Sequence, residues 1–427
     1  ADVVNNGTLN IGNKGKGILS TNGNVTLTNN SVITLGENEA IGVYTKGTGN
    51  LIKADAGSKM TIGNGSYGFI NEGSGNTIIS DATVSPAGDN TVFVFSRDTS
   101  GNVINNTPLT STGSLNYGLY SAGNVVNKAD INYSSGIGNV GIYSIYGGTA
   151  VNSGTARIAV GASSVGNTNP ADNYYAIGMA AGYVGDAVKP AYSGNVVNEG
   201  IIDVNGEHSI GMYGTERGTT VTNNGTINLN ASNTTGMYLD NGAYGINNGT
   251  IRSNGTGLRR VVGMVVKNGS TIENNGIISG RLKAEVGNNT ARGFHEYSNA
   301  IITGSANGVS VYSRSSNGQM KNSRAVIGEL ANSGSISGNL YARAGSGYGE
   351  VKSDVKSSGN GVAIYTESST KKETKIGSID NKGMITGKAV IYGGKDKKAM
   401  EDKTLRDKIF HVPLTNNIAG YSLPDED

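Results

Sequence analysis

Two short phrases alternate along this chain, and together they leave very few folds open to it. The first is an Asn/Gly corner followed by a small alternating strand: Asn5-Asn6-Gly7-Thr8-Leu9, Asn198-Glu199-Gly200-Ile201-Ile202, Asn223-Asn224-Gly225-Thr226-Ile227, Asn247-Asn248-Gly249-Thr250-Ile251, Asn274-Asn275-Gly276-Ile277-Ile278, Asn332-Ser333-Gly334-Ser335-Ile336 and Asn381-Lys382-Gly383-Met384-Ile385. The second is apolar-Gly-apolar-Tyr: Ile41-Gly42-Val43-Tyr44, Val140-Gly141-Ile142-Tyr143 and Ile210-Gly211-Met212-Tyr213, with Thr235-Gly236-Met237-Tyr238 as a near copy. It returns about every 25 residues, and a strand-turn-strand repeat of that length without helix is the mark of a solenoid. No unit can bury its apolar face alone, so neighbours must stack.

The reading is therefore all-β: a right-handed parallel β-helix of about 25 residues per coil with projecting loops. Residues 1–394 form the rod and 395–427 a charged segment at its end. At a strand spacing near 4.8 Å, the 427 residues give roughly 17 coils and a rod of about 80 Å. Only 36% of residues are hydrophobic and 6% aromatic. That is too lean for globular cores of this chain length, but enough for one row of small aliphatics per strand. Six prolines suit uninterrupted ladders.

Strand alternation predicts facing. It sets Ile210 and Met212 on one side and Gly211 and Tyr213 on the other. The Asn-Asn-Gly corners are expected to use left-handed backbone, which Asn and Gly tolerate. Their stacked asparagines can also hydrogen-bond up and down the rod. Sequons such as Asn6-Gly7-Thr8 read as corners. The repeat stretches at 165–175, 183–193, 257–260, 281–292 and 342–358, where loops should leave the rod. Within 393–410, Met400, Leu405 and Ile409 fall at near-helical spacing, so a short amphipathic helix or a solvated loop is expected there.

Chemistry is sparse. The chain has no cysteine, which removes disulfides, thiolate metal sites and thiol catalysis. A net charge of +2 points neither to nucleic acid nor to an acidic surface. No apolar run is long enough to span a bilayer as a helix. The histidines His208, His295 and His411 share no motif, and phosphate loops, serine elbows and calcium nonapeptides are missing. No metal or cofactor is expected. Asp203, Glu207, Glu216 and Arg217 lie within one coil's length and Asp240 one coil later. That is the best acidic cluster for a polysaccharide lyase or glycosidase built on the same fold; exposed charge on a secreted rod explains it equally well.

Tyrosines are the more informative group. Alternation puts Tyr44, Tyr120, Tyr143, Tyr213 and Tyr238 opposite the aliphatic row, with Tyr341, Tyr365 and Tyr392 in looser copies. Stacked coil on coil, they form an outward aromatic ladder. Its plainer role, which we favour on sequence, is to stiffen the sheet through cross-strand contacts. Its other role is a ligand surface, shared with a projecting loop.

The Asn-x-Gly-(Thr/Ser/Ile)-Ile and Gly-Met-Tyr phrases, from about Asn5 to Gly394, resemble those of type V autotransporter passengers, above all the very large fusobacterial outer-membrane adhesins. The resemblance implies a monomeric passenger on the bacterial cell surface that binds host cells or other bacteria through a surface protein or glycan. It also implies a C-terminal barrel in the outer membrane, not found in this stretch of sequence, and hence an excised fragment. The Gly-Asp-Ser-Gly motif of the serine-protease subgroup is lacking, and the family offers no binding motif to transfer residue by residue. The expectation is an adhesin without catalysis. A polysaccharide-active enzyme is the alternative, and a trimeric phage tailspike comes third.

Overall fold

The computed structural model describes residues 1–169, 172–259, 261–266, 270–274 and 276–278 and, past these, only strands, the first Arg281–Val286 and the last Ile418–Tyr421. The helix expected within 393–410 lies outside the described residues, as do most of the departures at 281–292 and 342–358 and the side chains of Tyr341, Tyr365 and Tyr392. The chain divides into two units, residues 1–235 with 254–260, and residues 236–253 with 261–427. The architecture is the expected right-handed parallel β-helix, all-β with coils about 25 residues apart.

In the first unit every full coil contributes three strands to three faces. One face stacks Val3–Asn5, Val25–Leu27, Leu51–Ala54, Thr77–Ser80, Asn102–Asn105, Asn124–Asn127, Thr149–Asn152, Asn195–Asn198 and Thr220–Asn223. A second stacks Lys16–Ser20, Ile41–Thr45, Tyr67–Asn71, Val92–Ser96, Tyr117–Ser121, Val140–Ser144, Ile177–Ala181 and Ile210–Thr215. The third is split. Thr8–Ile11 through Thr83–Val84 form one short sheet, and Leu109–Thr110 through Thr226–Leu229 belong to another. In the second unit, Tyr244–Asn247 pairs in parallel with Thr271–Asn274, and Thr250–Ser253 with Ile277–Ile278.

The core is one file of side chains per face. On the second face Val43, Phe69, Val94, Leu119, Ile142, Met179 and Met212 follow one another inward, all essentially sealed from water. Each such burial contributes about 1.5–3 kcal/mol, and repetition makes up for thinness.

The facing within the second phrase differs from strict alternation. Glycine does not share the tyrosine's side. A Cβ on Gly141 would lie 2.7 Å from Ile158 Cγ2, in the core, and 2.6 Å from the carbonyl oxygen of Gly178. Gly42 likewise looks toward Met60, at 3.2 Å from its terminal methyl. The first residue of the phrase instead sits outside with the fourth, since Tyr117 meets Tyr120 edge-on at 5.3 Å. Ile41, Tyr44 and Ile70 form one cluster with Tyr67 and Phe95 packed against it. The strand bends where its two middle residues both turn inward, and stacked carbonyls at that bend leave no room for Cβ atoms.

The Asn-Gly corners also differ from expectation. Gly200 and Gly225 are not left-handed. They are glycine because a Cβ would come within 2.1 Å of Ala156 O and 2.0 Å of Gly200 O, respectively. Left-handed backbone is used instead ahead of the second face, at Asn38 (φ 56°), Asn90 (53°), Leu115 (61°) and His208 (61°). The predicted asparagine ladder is present and wholly buried. Asn105 donates to Asn127 at 2.9 Å, Asn127 to Asn152 at 2.9 Å, Asn152 to Asn198 at 3.0 Å and Asn198 to Asn223 at 2.8 Å.

Candidate functional site: a clasped tyrosine face

The register of the second face runs Leu19, Tyr44, Ile70, Phe95, Tyr120, Tyr143, Ala180, Tyr213 in its outer column. Four of the five predicted tyrosines thus fall in one line, and the fifth, Tyr238, belongs to the second unit. Two of them meet directly. Tyr120 and Tyr143 meet at 4.7 Å, edge to face. Phe95 extends the stack at 5.0 Å from Tyr120, whereas Ile70 separates Tyr44 from it, and Ala180 stands between Tyr143 and Tyr213.

Tyr44 is almost fully covered. Its hydroxyl donates to Glu72 Oε2, and the ammonium groups of Lys16 and Lys46 lie 5.2 and 5.3 Å from its ring centre. Burial, then the Glu72 hydrogen bond, push its pKa up. At this end the column is a charged network, closed by Arg97, which lies 3.9 Å from Glu72 and over the Phe95 ring at 5.5 Å.

Toward Tyr143 the character changes to neutral phenols. Tyr67 and Tyr117, first residues of their phrases, add a second outer column: Tyr67 is 6.2 Å from Phe95, and Tyr117 is 6.3 Å from Tyr143 in a stacked arrangement. Sequence reasoning missed both, although Tyr67-Gly68-Phe69 and Tyr117-Gly118-Leu119 carry the same glycine phrase with Tyr in its first position.

A hairpin then folds onto this surface. The departure at 183–193 closes through paired backbone bonds, Tyr183 N to Tyr192 O at 2.8 Å and the reverse at 3.0 Å. Its turn is tied by Asp186, whose Oδ1 accepts from Val188 N and Lys189 N at 2.7 Å each, while its Oδ2 accepts from the Tyr183 hydroxyl. Those bonds, the Tyr183 hydroxyl first, hold the Asp186 carboxyl down at about 2. The Tyr192 ring lies 4.4 Å from Tyr146 and 5.3 Å from Tyr183, tilted by 40° and 34°. Its hydroxyl reaches that of Tyr143 at 3.5 Å, and Tyr143 donates to Gly182 O at 2.8 Å. Burial, then Tyr192, push Tyr143 and Tyr120 far up; burial, then Tyr192, also raise Tyr117. The departure at 165–175 is a second loop, bridged antiparallel at Ser164 and Tyr174. The two loops flank the strand Ile177–Ala181 at its opposite ends.

The acidic cluster disperses. Asp203, largely buried on the third face, pairs with Arg157 and accepts from Asn228 Nδ2 at 2.8 Å. Glu207 is exposed at the corner that follows, and Glu216 lies beyond the strand Ile210–Thr215, a span of about 20 Å. Asp240 belongs to the second unit. Among the described residues, no three His, Asp or Glu side chains gather as a metal ion would need.

The searches of curated proteins and of solved structures returned no match. Residues 42–248, a little under half of the chain and inclusive of the tyrosine face with its hairpin, match the family model described as the BigA third pectate lyase-like domain.

Proposed function

We propose that the chain is part of a bacterial cell-surface adhesin of the autotransporter type, a passenger that displays an outward face and loops to host cells or other bacteria and carries out no catalysis. The observation that carries this reading is the second face, where aromatic side chains are gathered on the outside of a regular scaffold and clasped by an inserted hairpin. Function on solenoids concentrates in such departures, and weak contacts repeated along a stiff scaffold add by multivalency. Localisation at the cell surface, a protein or glycan partner and a monomeric state belong to the same proposal. The similarity to a BigA domain supports it together with the phrases shared with autotransporter passengers.

A second reading, a polysaccharide-active enzyme, is favoured by the pectate lyase-like character of the matched domain. The structure offers it little to work with: Asp203 is committed to Arg157 and Asn228, and the strand Ile210–Thr215 separates Glu207 from Glu216. One experiment separates the two. Purified protein is tested for saturable binding to intact host and bacterial cells, with release of reducing sugar followed in the same samples. Binding without release is expected. Release abolished by Asp203→Ala with Glu216→Ala would overturn the adhesin reading.

A further inference from the structure

Among the described residues nine large apolar side chains are exposed; Val4, Leu19, Leu51 and Ile137 lie in strands, and the other five gather in one region. Tyr146, Tyr174, Tyr175, Val184 and Val188 are all exposed, Val188 to 88%, and all fall in or beside the two loops inserted around one coil. An apolar patch gathered on inserted loops is a candidate contact site. The patch nearest the hairpin has a built geometry. Tyr146, 45% exposed, is held at φ 47°, a left-handed conformation that costs a bulky residue of the order of 1 kcal/mol or more. Its neighbour Gly147 is left-handed as well, at φ 76°, and Gly148 N donates to Ile145 O at 2.9 Å; both middle residues of this tight turn need positive φ, and the first of them is a tyrosine. Its ring is thereby laid beside Tyr192, which in turn lies beside Tyr183. Three tilted rings form a row, with the Tyr143 hydroxyl behind it.

The chemistry of that row is specific. Every group in it is a neutral phenol. The hairpin's two charges, Asp186 and Lys189, lie at its turn, and the Asp186 carboxylate is already occupied by Tyr183 and by two backbone N–H groups. A cationic ligand would find no free counter-charge there, and the exposed Lys189 stands at the turn and not among the three rings. A surface of aromatic faces edged with hydroxyls matches a molecule that is apolar on its ring faces and hydroxylated at its rim, and both needs are met by an uncharged sugar. Tyrosine supplies this at low conformational cost, because the rings are already locked against each other.

We propose that Tyr146, Tyr183 and Tyr192, backed by Tyr143, form a binding platform for neutral oligosaccharides. This deepens the adhesin reading and rests on it for its biological setting, but it is tested separately. The 427-residue protein is applied to immobilised oligosaccharides of neutral hexoses and N-acetylhexosamines, beside sialylated, sulfated and uronate-containing ones. It is also applied to cells pretreated with periodate or with protease. The chain has no tryptophan and 21 tyrosines, so tyrosine emission reports directly on ring contact. Saturable binding to neutral probes with an emission change is expected. Tyr146→Gly, which relieves the backbone, and Tyr192→Ala should each weaken it about tenfold. Leu19→Ala, exposed in the same column and about 24 Å away by strand spacing, should leave it unchanged.

Binding to charged probes alone would overturn the platform, as would undiminished affinity in folded Tyr146→Gly and Tyr192→Ala proteins. Cell binding lost to protease but resistant to periodate would give the site to a protein partner and leave the adhesin reading intact. Neutral-sugar binding lowered by the variants, without any attachment to cells, would keep the platform and remove the adhesin reading.

Discussion

The side-chain amide of Asn152 donates to Asn198 Oδ1 at 3.0 Å although 46 residues separate the two; the next rung, Asn198 to Asn223, spans 25. Both inserted loops fall between Asn152 and Asn198, yet the rung is unchanged. The scaffold therefore closes its coil without help from the loops, which are additions to a complete register.

Excision follows from that. Tyr183 and Tyr192 are bridged, so joining Gly182 to Ser193 spans a short gap. The shortened protein should keep its strand content and melt cooperatively, with a loss of about 1–2 kcal/mol for the Tyr192 ring contacts. Far-UV circular dichroism and urea melts check it. Collapse of the β signal would show that the hairpin belongs to the scaffold.

Within the ladder, Asn127 is the better place to cut. It accepts from Asn105, donates to Asn152 and also reaches Ala129 O at 2.8 Å. Asn127→Ala leaves two fully buried amides short of a partner, at a cost of about 3 kcal/mol. Asn127→Asp should be worse at neutral pH, since a carboxylate has nothing to donate and is charged in a dry file. Urea midpoints equal to the parent's would remove the ladder as a source of stability.

Gly141 and Gly154 make a matched pair. A Cβ at Gly141 meets a carbonyl at 2.6 Å and Ile158 at 2.7 Å, whereas one at Gly154 has its nearest neighbour at 3.7 Å. Gly141→Ala should destabilise by about 1–3 kcal/mol through overpacking. Gly154→Ala should be neutral or stabilise by about 0.5 kcal/mol through the unfolded chain. Thermal melts of the two variants, run side by side, decide it.

How much of this was legible in the sequence depends on the residue. The coil period and the Asn198–Asn223 rung of the ladder are written in phrases that recur about every 25 residues, and repetition is what a stacked register demands; the rungs at Asn105, Asn127 and Asn152 lie in strands whose corners depart from the Asn-x-Gly-Ile phrase. The inward glycine at position two of the tyrosine phrase was not legible. Alternation assigns it outward, and only the carbonyl of the next coil reveals why no Cβ fits. For the same reason Tyr67 and Tyr117 escaped notice, since a strictly pleated strand would have buried them. The hairpin's place over Tyr143 depends on how a loop folds back, and no period encodes that. Asp203 looked available because its partner Arg157 lies 46 residues upstream.

Asp98 gives the scaffold an acid limit. Its buried carboxylate accepts from Asn76 N at 2.8 Å, Gly75 N at 3.0 Å, Ser100 N at 3.1 Å, Ser100 Oγ at 3.0 Å and Asn71 Nδ2 at 3.2 Å. Burial pushes its pKa up, but the donors, led by Asn76 and Gly75, outweigh it and hold the group below its ordinary value. A pKa depressed by folding contributes stability that is complete above the unfolded value of about 3.9 and is lost as pH falls through the folded one. Urea midpoints should therefore drop as the solution is acidified below about pH 4. Asp98→Asn should be less stable at neutral pH and lose less over that window. Equal slopes for the two proteins would assign the acid limit to other groups.

The tyrosine face sets the alkaline limit by the opposite sign. Burial, joined by Tyr192, raises Tyr117, Tyr120 and Tyr143 above the ordinary phenol value. A group raised by folding contributes stability that is fully present below its unfolded pKa, about 10 here, and lost as pH climbs toward the folded one. In a phenolate titration Tyr117, Tyr120 and Tyr143 should ionise only as the protein unfolds. Tyr120→Phe removes one of the buried hydroxyls while keeping the ring contact with Tyr143, so it should extend the stable range upward. Tyr143→Phe gives up the bond to Gly182 O and should gain less. If all tyrosines ionised in one wave near the ordinary value with strand content intact, the rings would be open to water, and the locked row beside the hairpin would lose its support as well.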